Sequence, residues 1–156
     1  PAVPPVDLAR TGDQEASTEG LSVLVVDDDP VAAKVAMRAV RIAFGEVPVR
    51  LSRASTGAEA VEKTSRELPR LVVLDFGLPD MDGVEVLSRI REHARGGDVR
   101  VLVASGQLKD EARHRFAVLG VQHFLPKPFD VTVVAERVRL IGIRGGWLPR
   151  LILTVR

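Results

Sequence analysis

Two short apolar runs in this chain end in carboxylate. Leu21 to Val26 leads into Asp27-Asp28-Asp29, and Leu71-Val72-Val73-Leu74 leads into Asp75. A third run, Val99 to Ala104, ends in Ser105, and a fourth at 121–125 leads into Pro126-Lys127-Pro128. Runs this short, bounded by turn residues, read as buried strands. In an open parallel sheet, ligands bind in the crevice beyond the carboxyl ends of the strands. Acidic residues at two such ends converge on one crevice, with a hydroxyl and a lysine at two more. Two carboxylates ~4 Å apart repel by about 4 kcal/mol at a protein-surface dielectric. Such a cluster takes up a proton or holds a cation. Magnesium suits it, because it is bound by one or two carboxylates plus waters and phosphate oxygens. A lysine ammonium pairs a carboxylate and then a phosphoryl oxygen. A serine hydroxyl donates to the same oxygen.

The strand-like runs alternate with helix-like stretches, which predicts parallel βαβ units. Strands are expected at 21–26, 47–53, 70–74, 99–104 and 121–125. Helices are expected at about 30–44, 56–67, 82–94, 108–119 and 130–143. Pro48 falls inside the second strand run and would cost a central strand a ladder hydrogen bond, so that strand is placed at a sheet edge. The flavodoxin-like order 2-1-3-4-5 does so, and it makes strands 1 and 3 neighbours. Asp82 with Glu85 three residues on forms a capping-box pattern, and Asp130 caps the fifth helix. Asp80 and Asp82 are therefore read as turn and cap residues.

Composition narrows the class. The 156 residues are 46% hydrophobic and 28% charged, with net charge +1 and no cysteine. That describes one globular domain with a full core plus short extensions. It excludes disulfides and thiolate metal sites, and nothing global points to nucleic acid. No apolar stretch reaches the ~18 residues of a membrane span, and residues 1–20 lack the basic start and apolar core of a secretory signal. The expected location is the cytoplasm. Residues 1–20, with three prolines and four acids against one arginine, have linker composition. The expected organisation is a linker at 1–20, a domain at 21–143 and a tail at 144–156. In the tail, Trp147, Leu148, Leu151 and Ile152 are costly to leave in water and are expected to pack. His93, His114 and His123 lack metal-site spacing. Arg113 and Arg115 are read as solvated helix residues.

The segments VLVVDDDP (23–30), VVLDFGLPDMDG (72–83) and FLPKPF (124–129) resemble the receiver domain of bacterial two-component response regulators. The resemblance covers about four-fifths of the chain and implies a five-stranded doubly wound fold phosphorylated on an aspartate. Asp75 then matches the phospho-acceptor. Asp27 and Asp28 match the acidic pair that holds Mg2+, with Asp28 contacting the ion. Gly77 matches the position whose backbone carbonyl completes the metal site. Ser105 and Phe124 match the hydroxyl and aromatic switch positions. Lys127 matches the phosphate-pairing lysine, followed by a cis bond to Pro128. The implied partners are a histidine kinase or histidine phosphotransfer domain, and a downstream protein on the face of the fourth helix, fifth strand and fifth helix. Gln122-His123 replace an acidic pair common in the DNA-binding branch of the family, leaving Arg137 and Arg139 without their complement. A monomer or weak dimer is therefore expected.

Two other functions compete. Asp27-Asp28-Asp29 after a strand mimics the Asp-x-Asp nucleophile motif of haloacid-dehalogenase phosphatases. Against that, residues 121–156 hold only Asp130 and Glu136, with no late acidic pair. A pseudo-receiver scaffold would lack some of the site residues, and here the set is complete. The expected function is a phosphoryl-accepting signalling domain rather than an enzyme acting on other substrates. The Pro-rich acidic segment before the domain resembles the linker of a hybrid histidine kinase that ends in a receiver, with a stand-alone single-domain regulator as the alternative. The kinase, signal, output and phosphate lifetime are not legible in the sequence.

Overall fold

The computed structural model describes residues 21–93 and 96–150. Five parallel strands form one sheet: β1 (Ser22–Val26), β2 (Arg50–Ala54), β3 (Leu71–Asp75), β4 (Arg100–Ser105) and β5 (His123–Pro126). Their spatial order is β2-β1-β3-β4-β5. Five α-helices connect and follow them: α1 (Pro30–Phe44), α2 (Gly57–Glu67), α3 (Gly83–Arg91), α4 (Asp110–Val118) and α5 (Val131–Gly145). A short 3-10 turn, Gly96–Asp98, precedes β4. The order is the expected one, and elements depart from the expected bounds by at most three residues. The expected linker at 1–20 and tail residues Leu151 and Ile152 lie outside the described residues, as does the expected third-helix end at 94.

Strand alternation splits the core into two layers. Val23, Val25, Leu71, Val73, Leu102 and Leu125 face α1 and α5. Leu24, Val26, Val72, Leu74, Val101 and Val103 face α2, α3 and α4. Burial on both faces explains why these strands read as continuous apolar runs. Ala33, Ala36, Ala39 and Ala43 make the buried face of α1 small, which suits close packing against α5.

Side chains punctuate the helices. Asp29 accepts from Val31 N–H, with Pro30 at the first helical position. Thr56, Asp82 and Asp130 cap α2, α3 and α5. Glu85 does not complete the capping box: its carboxylate pairs instead with Arg89 at 2.8 Å, one turn on.

Three readings are corrected. β2 is an edge strand, but Pro48 lies outside it, since the strand begins at Arg50. The proline ends the approach to the strand rather than interrupting its ladder. Arg137 and Arg139, expected together as the basic half of a dimer face, part company, as residues two apart on a helix do not face each other. Arg137 donates to the Phe124 carbonyl on β5 at 3.0 Å, whereas Arg139 lines a groove with Ile42, Phe44 and Leu148. Arg113 is exposed, but its guanidinium lies 4.6 Å from the centroid of the Phe124 ring. It is a packing partner rather than a free solvated side chain.

The chain folds back after α5. Gly146 takes a left-handed conformation, φ +84°, and Leu148 N–H donates to the Gly142 carbonyl. Leu148 is 6% exposed and joins the layer under α1 and α5. A Cβ on Gly142 would lie 2.5 Å from Leu148 Cδ1, and one on Gly145 2.8 Å from the Trp147 ring. The two glycines form the notch that admits these side chains, so the packing expected of Trp147 and Leu148 is realised.

Candidate functional site

The parallel register brings the acidic strand ends together. Val26 pairs with Leu74, so Asp27 follows β1 where Asp75 closes β3. One carboxylate oxygen from each of Asp27, Asp28 and Asp75 lies within 4.8 Å of the others. Asp27 and Asp75 are buried, 4% and 7% exposed, while Asp28 is open to solvent. Asp29 stands apart, its carboxylate used to cap α1. A phosphatase of the Asp-x-Asp kind would need that side chain in the site.

Lys127 enters from the end of β5. Its Nζ donates to Asp27 Oδ2 at 2.9 Å and stands 3.1 Å from Asp75 Oδ1. Its backbone N–H donates to the Ser105 carbonyl at 2.9 Å, which ties the loops after β4 and β5 together. The Lys127-Pro128 bond is cis, as the resemblance implies.

The two buried aspartates differ. Asp27 Oδ2 accepts from Lys127 and its Oδ1 from Asp29 N–H at 3.0 Å. Asp75 meets Lys127 through Oδ1, and its second oxygen takes no hydrogen bond among the described residues. Burial, then the charge of Asp27, holds the Asp75 carboxyl above its ordinary pKa despite Lys127. Burial works to lower the Lys127 pKa, but hydrogen bonds and charge from Asp27 and Asp75 outweigh it and hold the ammonium above its ordinary value. Such a site favours added positive charge.

The donor set fits magnesium. Three carboxylates offer hard oxygens, one of them facing solvent, and magnesium takes a few carboxylates and keeps several waters. Gly77 lies in the loop after β3, bridged to Asp82. A Cβ there would meet nothing within 4 Å, so the mouth of the crevice is open.

Ser105 closes β4 and lines a cavity of about 160 Å³ with Val103, Leu108, Arg113 and Phe124. Phe124 packs edge-on against Phe116, centroids 6.1 Å apart, and Phe116 packs edge-on against Phe76 at 6.0 Å. Phe76 directly follows Asp75. Three rings therefore run from Phe76, next to the candidate acceptor, to Phe124. Phe76 and Phe116 were not legible as site residues, because single apolar residues in a loop and a helix carry no signal of alignment. Asp80 accepts from Gly57 N–H at 2.7 Å and Ala58 N–H at 2.9 Å, and these bonds hold its carboxyl below the ordinary range. It binds the start of α2 rather than facing the crevice, as its reading as a turn residue implied.

Comparison with known proteins agrees with this fold. A family model described as the response regulator receiver domain matches residues 23–139. The probable transcriptional regulatory protein TcrX of Mycobacterium tuberculosis is 35% identical over 85% of this chain, which spans 54% of that protein. An uncharacterized 14.6 kDa protein of Leptolyngbya boryana is 31% identical over 78% of this chain and 87% of its own length. Among solved structures, a chain of the CheX-CheY-BeF3-Mg+2 complex from Borrelia burgdorferi superposes with a TM-score of 0.65 at 30% identity. That match covers 78% of this chain and 88% of the other.

Proposed function

This chain belongs to the response regulator receiver domain family, and we propose that Asp75 is the residue on which it accepts a phosphoryl group. The observation that carries the assignment is the contrast between the two buried aspartates. Asp27 has both oxygens engaged, whereas Asp75 keeps one oxygen without a hydrogen bond among the described residues, beside a lysine that can receive the product. The donor is a phosphohistidine of a histidine kinase or phosphotransfer domain. A carboxylate oxygen of Asp75 attacks phosphorus, the phosphorus–nitrogen bond breaks, and its electron pair leaves with the imidazole. The product is an acyl phosphate on Asp75, and attack by water later releases inorganic phosphate.

Lys127 holds both carboxylates before the reaction and donates to a phosphoryl oxygen after it. Asp27, Asp28 and Asp75, with the Gly77 carbonyl, would hold Mg2+, which when bound offsets the negative charge on the transferring oxygens. Ser105 and Phe124 form the switch. The new dianion draws in the Ser105 hydroxyl, and the Phe124 ring moves into the space it leaves, a two-state element biased by a local charge change. The chain catalyses only its own phosphorylation and dephosphorylation. Its place is the cytoplasm, and its downstream partner is a protein bound on the face formed by α4, β5 and α5.

We infer that residues 21–143 form the receiver unit and that the segment before it is the linker of a hybrid histidine kinase, with a stand-alone single-domain regulator as the alternative; the coding sequence upstream of Pro1 tests that context. The chain is a monomer or weak dimer, because Gln122 and His123 offer no acid to Arg137, and sedimentation in both phosphorylation states measures this. The acceptor assignment is tested by incubation with acetyl phosphate and intact-mass measurement. One phosphoryl group is expected on the parent chain, none with EDTA, and none on Asp75→Asn. Undiminished uptake by Asp75→Asn refutes the assignment.

A further inference from the structure

Arg53, on the edge strand β2, reaches across to the loop that carries the acidic pair. Its Nε and Nη2 donate to the Asp27 carbonyl at 3.2 and 3.0 Å, and Nη2 also donates to the Asp28 carbonyl at 3.3 Å. In the β1–β2 register Arg53 pairs with Val25, so the side chain extends two and three residues past its partner. Asp27 N–H still donates to Ala54 at 3.0 Å, but beyond it the ladder has ended. Carbonyls there need another donor. A planar guanidinium supplies two or three in a fixed fork, which an ammonium does not.

Arg53 is itself braced. Its own carbonyl accepts from Lys63 Nζ, and Lys63 pairs with Glu59 at 3.3 Å. Glu59 accepts from Ser55 N–H at 2.9 Å. On the other side of the same turn, Asp80 binds the N–H groups of Gly57 and Ala58. The corner between β2 and α2 is thus stitched to both loops that frame the acidic crevice.

We infer that Arg53 is a positioning residue for cation binding, acting through the backbone of Asp27 and Asp28. The inference rests on the reading of the acidic cluster as a magnesium site. With both carbonyls clamped, the two side chains are held facing Asp75 before any ion arrives, and binding does not have to order the loop. The charge of Arg53 acts in the opposite sense, since a cation beside the cluster repels another. The two effects predict opposite results, which makes them separable.

The experiment is a Mg2+ titration of the parent, Arg53→Gln and Arg53→Lys, followed by NMR or calorimetry, with thermal melts in EDTA to establish that each variant folds. Loss of a positioning residue behind metal ligands weakens affinity by about tenfold or more. Both variants are expected to lose about tenfold, because lysine keeps the charge but not the fork. The amides of Asp28 and Asp29 should exchange faster in both variants without metal. Arg53→Gln binding Mg2+ as tightly as the parent, or more tightly, overturns the inference. On the parent itself, the Arg53 Nε–H should be protected from exchange with and without Mg2+, and rapid exchange in both states also overturns it. A parent that takes up no Mg2+ overturns the magnesium reading and this inference with it. Binding by the parent with no loss in the variants overturns this inference alone.

Discussion

The ammonium of Lys127 stands 3.1 Å from Asp75, yet burial and the neighbouring Asp27 still hold the Asp75 carboxyl above its ordinary pKa. The folded state therefore binds that proton more tightly than the unfolded state does. The stability this contributes is full below the unfolded pKa and is lost as pH rises through the folded value. At neutral pH, ionised Asp75 is a net cost to the metal-free fold. Asp75→Asn removes it, and Lys127 keeps Asp27 as a partner. In EDTA at pH 7, Asp75→Asn should melt higher than the parent, each kcal/mol appearing as roughly 4 °C. The gap should shrink as pH falls through the Asp75 titration. Melting curves taken from pH 8 downward check this, and a lower midpoint for Asp75→Asn at pH 7 would refute it.

Asp28 and Asp29 are adjacent, and both are exposed, but they do different work. Asp28 contributes to the carboxylate cluster, while Asp29 caps α1. Asp28→Ala should weaken Mg2+ binding and leave the metal-free melting point nearly unchanged. Asp29→Ala should lose about 1 kcal/mol of stability with little loss of Mg2+ affinity. Equal losses of affinity in calorimetry would show that the cluster is misassigned.

How far the sequence revealed this site follows from what each residue contacts. Asp27, Asp75, Ser105 and Lys127 were legible because each sits at or just past the end of an apolar run, and strand ends in a parallel sheet share one edge. Arg53 was not legible. It acts on backbone carbonyls 25 and 26 residues away, and nothing in a run of alternating residues marks which side chain reaches past its strand. Arg113 was misread for a related reason. An arginine on an exposed helix is usually solvated, and only the β5 backbone brings Phe124 beneath it. The order of strands survived a wrong premise, because Pro48 marked the edge from just outside β2.

The Arg113 guanidinium lies 4.6 Å from the centroid of the Phe124 ring, the proposed aromatic switch, and should favour its present rotamer. A cation–π contact at an exposed site is worth about 0.5–1 kcal/mol. Arg113→Ala should release the ring and shift the two-state balance by about two- to fivefold. Phosphorylation by acetyl phosphate should be faster by a similar factor. In NMR spectra, the amide shifts that beryllofluoride induces in residues 104–130 of the parent should appear in part without it. Unchanged rates together with unchanged Phe124 resonances would show that the contact holds nothing.

Gly142 lies in the last full turns of α5, where alanine ordinarily stabilises by about 1 kcal/mol. Here a Cβ would lie 2.5 Å from Leu148 Cδ1 and 2.7 Å from Cγ. Gly142→Ala should therefore destabilise, by about 1–3 kcal/mol, and Leu148→Ala by about 2–4. Chemical denaturation measures both. A stabilised Gly142→Ala would mean Leu148 does not occupy the notch.

The family match stops at residue 139, yet Leu148 is still inside the hydrophobic interior. Similarity and burial therefore draw the edge of this unit in different places. A fusion joined at the end of the match would remove Ile141 and Leu148 and leave the layer beneath α1, Phe44 included, open to water. A unit moved intact into another polypeptide has to carry the tail as far as Leu148 along with residues 21–143, because a notch cut by two glycines, rather than any signature of the family, closes that layer.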